Sequence, residues 1–237
     1  MSTTTDMTPA IILVGSDRYA SKWHDHAANA QLIAEALQEV GINARIRATH
    51  PRSFRELDTA KLLIVEAGRG ERATDDCTDE EWAKAHAELA RYVSRGGALM
   101  VIHNGVGAFD DLPAWSNWIG GRWVTGISMH PPIGDNQLTP RVTDHPIVDG
   151  LGRIDVYDEL YAHLDRADDN TVLLHFRHDD QKQPLLWVRD GGPAPGRVVV
   201  DLLGHDVRSY DSAARVRLLR RGALWAIGGD EATIRAI

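Results

Sequence analysis

Ala10-Ile11-Ile12-Leu13-Val14 is a short, uninterrupted apolar run that stops at Gly15, the pattern of a central parallel strand covered on both faces. From Ala27 to Val40 the apolar positions Ala30, Ile33, Ala34 and Leu37 recur at helical spacing, and Gly41 ends the helix. Asn43 to Arg47 alternates and predicts a second strand, and Leu62-Leu63-Ile64-Val65 predicts a third. Thr78-Asp79-Glu80-Glu81 has the form of a capping box, opening a helix that runs to about Ser94 and stops at Gly96-Gly97. Ala98 to Ile102 predicts a fourth strand, ending at His103.

Strand and helix alternating through short connections argue for an α/β, doubly wound, mostly parallel sheet with helices on both faces. Ligands in such sheets bind beyond the carboxyl ends of the strands, where His103 stands. Pro113 to Gly150, rich in Gly, Pro and Trp, predicts an elaborated loop region with short helices. Further strands are predicted at Val172–Phe176, Leu185–Val188 and Arg197–Leu203, and a last helix over Ala213–Ile227 that turns Val216, Leu219, Ala223 and Ile227 to the core. No linker, repeat or low-complexity stretch divides residues 1–237, so one domain is expected, with residues 1–8 as a flexible tail.

The 43% hydrophobic and 25% charged content is that of a folded globular chain. A net charge of −8 with no basic run argues against nucleic acid or an anionic membrane as partner. The single cysteine, Cys77, permits no intrachain disulfide, and the polar start lacks the apolar core of a secretory signal. With no apolar run long enough to cross a bilayer, the expectation is a cytoplasmic protein.

Phosphate-loop, dinucleotide, nucleophile-elbow, Cys-x-x-Cys and His-Glu-x-x-His motifs are absent. What remains are imidazoles and carboxylates beside Gly or Pro: Trp23-His24-Asp25-His26, His103-Asn104-Gly105, His130-Pro131-Pro132, Asp144-His145-Pro146, Tyr157-Asp158-Glu159-Leu160-Tyr161 and Leu203-Gly204-His205-Asp206. Plainer readings exist for several. Asp25 suits a helix cap, Asp144-His145-Pro146 suits a turn, and Asp158 and Glu159 suit a solvated surface. His86, His163, His175 and His178 lie in polar or amphipathic stretches and receive no role. His103 and His205 stand out because each follows a predicted strand.

Read in order, Gly96-Gly97-Ala98 through His103, Trp118-Ile119-Gly120-Gly121-Arg122-Trp123, His130-Pro131-Pro132, Asp144 to Leu151, Asp158-Glu159-Leu160-Tyr161, Leu203 to Tyr210, Leu218 to Gly222 and Trp225 resemble the trehalose-utilization (ThuA-like) family over nearly the whole chain. The resemblance implies a class I glutamine-amidotransferase-like, flavodoxin-type fold. His103 then stands where a true amidotransferase has its cysteine, and glutaminase activity is not expected.

The resemblance also implies work on trehalose or related disaccharides, often beside sugar oxidoreductases that make 3-keto sugars. A ketone at C3 acidifies the C2 proton, so a base, an acid and a stabiliser of the enediolate would suffice for elimination, net hydrolysis or isomerisation. On this reading His103, His130, Glu159 and His205 are catalytic, and Trp23, His24, Asn104, Trp123, Asp158, Tyr161, Asp206 and Arg208 bind substrate. Asp144 and His145 are second choices, and Trp118 is a further aromatic face for a sugar. A divalent metal, zinc above all, would be held by His103, His130, His205 and Glu159. The partner is a sugar or glycoside, with a homodimer as the oligomer. The rival readings are a non-catalytic carbohydrate-binding or regulatory module, and a hydrolase acting on a sugar without the ketone.

Overall fold

The computed structural model describes residues 7–72, 76–141 and 144–237. Of the expected tail, residues 1–6 lie outside the described residues. Thr8, assigned to that tail, instead opens the first strand, because its backbone N–H donates to the Gly41 carbonyl and it sits in register with Ile42.

Strands β1 (Thr8–Val14), β2 (Ile42–Ala48), β3 (Leu62–Glu66) and β4 (Ala98–Ile102) alternate with helices α1 (His26–Gln38) and α2 (Asp79–Ser94). Every residue of β3 and β4 is buried, which is why both read as continuous apolar runs rather than alternating ones. Asp25 caps α1 by accepting the Ala28 N–H at 3.1 Å. The capping box of α2 is complete, with Thr78 Oγ1 accepting the Glu81 N–H at 3.2 Å and the Glu81 carboxylate accepting the Thr78 N–H at 2.9 Å.

After β4 come α3 (Ala114–Ile119), β5 (Gly121–Arg122), β6 (Gly134–Leu138), β7 (Ile154–Asp158), β8 (Asp165–Arg166), the hairpin strands β9 (Thr171–His178) and β10 (Gln181–Asp190), then β11 (Arg197–Asp201), α4 (Ala213–Ala226) and α5 (Glu231–Ala236). The main sheet has seven strands in the order β2-β1-β3-β4-β11-β10-β9. Its first five are parallel, in the 2-1-3-4-5 order of flavodoxin-like folds, and β10 and β9 extend it antiparallel. The strands are laid down outward from β1 to β2 and then in the opposite direction from β3, so right-handed crossovers place α1 and α2 on opposite faces of the sheet. α1 and α4 pack on each other.

The elaborated region is tied down by two small ribbons, β5 with β8 and β6 with β7, so Tyr157-Asp158, expected in a loop, ends a strand. α4 buries Leu218, Leu219, Ala223 and Trp225, while the predicted core positions Val216 and Ile227 are half-buried. The stripe is displaced because it contains Arg215 and Arg221, whose charges disguise it in the sequence. Among the described residues no helix is long and apolar enough to cross a membrane.

Candidate functional site

The loops beyond β1, β3, β4 and β11 leave the carboxyl edge of the sheet around the point where strand order reverses, the usual ligand crevice of this architecture. They meet residues of the elaborated region at one pocket of about 1060 Å³. His24, Asn104, Trp123, His130, Glu159, Tyr161 and His205 line it, and Trp23 projects at its rim, 74% exposed.

His103 begins a 3₁₀ turn directly after β4, with φ of +43°. A left-handed backbone at a non-glycine residue is costly and persists where the surroundings enforce it. The turn is pressed onto the neighbouring strand: a Cβ on Gly105 would stand 2.7 Å from the Val65 carbonyl oxygen, so only glycine fits. His103 Nδ1 lies 2.7 Å from the Leu202 carbonyl and must donate to it, so in the neutral ring Nε2 is the nitrogen that carries the lone pair. That Nε2 is buried, makes no hydrogen bond, and lies 3.7 Å from Glu159 Oε2.

Glu159 is the electrostatic centre. Its Oε2 is 3.2 Å from His205 Nδ1 and its Oε1 is 2.9 Å from His130 Nδ1. Burial pushes its carboxyl up, but the contacts with His103 and His205 outweigh burial and hold it well below the usual carboxylate range. His205 is raised, chiefly by its close contact with the Glu159 carboxylate. His24 is pushed down to about 2 by burial and by the neighbouring imidazoles, and so stays neutral. It is steadied by Ser21 Oγ at 2.8 Å and Asn104 Nδ2 at 3.3 Å, both on Nδ1. Gly68 makes room for that arrangement, since a Cβ there would fall 2.0 Å from Asn104 Nδ2.

One ligand atom from each of His24, His103, Glu159 and His205 falls within 4.8 Å of the others. Four imidazole and carboxylate donors with a buried, unpartnered nitrogen among them fit a divalent cation such as zinc. The backbone carbonyl that fixes His103's tautomer is the outer-shell partner that ligating histidines ordinarily have. The set differs from the expected one by a single member, because His24 converges on it and His130 does not. His130, 42% exposed, reaches the outer oxygen of Glu159 instead.

Other expected site residues fall elsewhere. Asp158 is 1% exposed and faces away from the pocket. It accepts the Glu159 and His205 N–H groups on Oδ1 (2.9 and 3.1 Å), and the Gly204 N–H and Ser209 hydroxyl on Oδ2 (2.8 and 2.6 Å). Its carboxylate is therefore spent on positioning the Glu159 and His205 backbones and has no capacity for a sugar. Asp206 caps a 3₁₀ turn and pairs with Arg208, whose guanidinium lies 4.1 Å over the Tyr157 ring; neither lines the pocket. Trp118 is in the core, and His145 packs against Trp225, with Asp144 beside it. Cys77 lies outside the pocket, with Sγ 3.2 Å from His50 Nε2. His86 bonds Tyr19. Trp123 lines the pocket edge-on to Tyr161, at 4.8 Å.

The sequence reading missed Ser21, and also Arg69, which pairs with Asp110 at 2.9 Å and donates to Thr125 Oγ1 at 3.3 Å, joining three stretches that line the pocket. The signal was the Gly68-Arg69-Gly70 spacing. A Cβ on Gly70 would strike the Ala20 carbonyl at 2.2 Å, so the chain must pass close there.

Replacing Glu159 by Gln removes the charge that raises His205. In metal-free protein the His205 imidazole is then expected to titrate at lower pH, read from its ring proton shifts by NMR. An unchanged His205 titration would show that the pair is not formed.

The sequence model of the trehalose utilisation family, ThuA, matches residues 12–226. No curated protein matches the chain. Among solved structures, the chain is similar to a ThuA-like protein from Parabacteroides merdae at 17% identity and a TM-score of 0.72, over 94% of this chain and 90% of that one. It is also similar to a ThuA-like protein from Bacteroides uniformis at 15% identity and a TM-score of 0.68, over 98% and 97%. A β-galactosidase from a Rahnella species matches at 11% identity and a TM-score of 0.54, over 93% of this chain but 31% of its own. At these identities the likeness is one of fold.

Proposed function

The chain belongs to the trehalose utilisation (ThuA) family, and we propose that it is an enzyme that cleaves a glycoside bearing a ketone at C3, by metal-assisted elimination across C1 and C2. The observation that carries this is the convergence of His24, His103, Glu159 and His205 beneath the pocket, with His103 Nε2 buried and unpartnered. A divalent ion held by these four would supply a Lewis acid for the C3 carbonyl.

His103 does not line the pocket, so its part is to hold the ion rather than to touch substrate. The base is His130. Its Nδ1 faces both Glu159 Oε1 at 2.9 Å and the Pro131 carbonyl at 3.0 Å, so Nδ1 carries the proton and Nε2 offers a lone pair from the pocket wall. His130 takes the C2 proton, the C2–H electron pair forms the C1–C2 double bond, and the C1–O bond breaks. The His130 imidazolium then returns the proton to the departing glycosidic oxygen. Burial and the nearby carboxylates keep the Tyr161 phenol protonated, so it donates a hydrogen bond to the oxygen where charge collects. Trp23 and Trp123 give the sugar apolar faces. A dehydrogenase that oxidises the C3 hydroxyl of a sugar would supply the substrate.

The test is metal content after purification without chelator, followed by turnover of one glycoside offered with and without prior oxidation at C3. Bound zinc of which one equivalent is lost in His103→Ala/His205→Ala, with turnover confined to the oxidised sugar, is the expected result. Binding without turnover of either form would make the chain a carbohydrate-binding module, and equal turnover of both would make it an ordinary hydrolase.

A further inference from the structure

A second group of metal-ligating side chains lies away from the pocket. His163 follows the Tyr161-Ala162 stretch that enters the site, His178 ends β9, and Asp179 begins the turn into β10. One ligand atom of each lies within 4.8 Å of the others. The two imidazole rings are 5.6 Å apart between centroids, and His178 Nε2 is 3.5 Å from Asp179 Oδ2.

The backbone aims these groups. Asp179 and Asp180 both have positive φ, +46° and +58°, the two-residue turn whose twist matches a tight hairpin and keeps His178 opposite Gln181. Arg177 pairs with Asp180, which leaves the Asp179 carboxylate facing the imidazoles. His163 has φ of +57°, and its N–H is held by Gln183 Oε1 at 2.9 Å. Among the described residues only two histidines adopt a left-handed backbone, His103 and His163, and each belongs to one of the two clusters.

We propose that His163, His178 and Asp179 form a second divalent metal site, three protein ligands completed by water, that fastens the β9–β10 hairpin to the segment carrying Tyr161. Two imidazoles and one carboxylate are the donor set zinc accepts. Gln183, which holds the His163 N–H through Oε1, makes only a loose 3.4 Å contact from Nε2 to the ring Nδ1. The Met129–Ala162 bridge and the bond from Ser128 Oγ to the His163 carbonyl then pass the constraint to the stretch that carries His130. This inference does not depend on what the pocket does.

Chelator-stripped full-length protein is titrated with zinc at neutral pH against a competing indicator, alongside His178→Ala and the double variant His103→Ala/His205→Ala. Wild type is expected to take up two equivalents and the double variant one. His178→Ala should lose an equivalent, or bind it at least about tenfold more weakly. Zinc should raise the Tm of the double variant, and that rise should vanish when His178→Ala is added to it. A single wild-type equivalent that His178→Ala leaves intact overturns this inference and spares the pocket metal. A single equivalent lost in His178→Ala supports it and counts against the metal in the pocket. Uptake of none overturns both.

Discussion

Arg215→Met is expected to lower the stability of the folded chain by about 3–5 kcal/mol, read from its urea midpoint. Arg215 and Asp201 have no accessible surface, and one guanidinium nitrogen lies 2.9 Å from Asp201 Oδ2. Methionine fills the volume but leaves the carboxylate buried without its counter-charge. Burial already pushes that carboxyl up, so Asp201 would take a proton in the variant. The same guanidinium donates to the Leu203 carbonyl at 3.1 Å, while Asp201 Oδ1 accepts the Leu203 N–H at 3.2 Å. The pair thus fixes the loop beyond β11 from below, as Asp158 does from the other side. Arg215→Met/Asp201→Leu, which removes both charges, should recover most of the loss. A single variant within about 0.5 kcal/mol of wild type would mean that the pair holds nothing.

The same buried charges explain how far the sequence could be read. β1, β3 and β4 were legible because strands covered on both faces must be apolar at every position, and α1 and α2 because Asp25 and Thr78 cap them. β6 and β7 were not, since Gly134-Asp135-Asn136-Gln137 has little strand preference and pairs only through tertiary contact. In the site, the strand-end position of His103 could be inferred from local pattern. The part of Asp158 could not: adjacent acids look alike in sequence, yet Asp158 turns inward to the Gly204–His205 backbone while Glu159 turns to the pocket. His24 was read as a contact to substrate because its convergence with His103 and His205 joins residues far apart in the chain.

His103→Ala and His130→Ala should both abolish most turnover of a C3-oxidised glycoside, and for different reasons that the metal can report. His103 is the most buried of the converging donors, 1% exposed, with no path to substrate. Removing it should cost metal occupancy first. Losing Lewis-acid help of about 4 kcal/mol would slow the reaction about a thousandfold. His130 lines the pocket and stands outside the ligand set, so His130→Ala should keep its metal and lose about 10²–10⁴ in kcat through the missing base. His103→Ala should also leave the fold in place, because Nε2 has no partner to lose and Nδ1 gives up one bond to Leu202. Turnover surviving in His103→Ala with metal bound would remove this residue from the centre. A His130→Ala variant as active as wild type would move the base to His205, which reaches both the cluster and the pocket and whose proton affinity is raised, whereas Glu159 and His24 are both pushed toward weaker proton affinity.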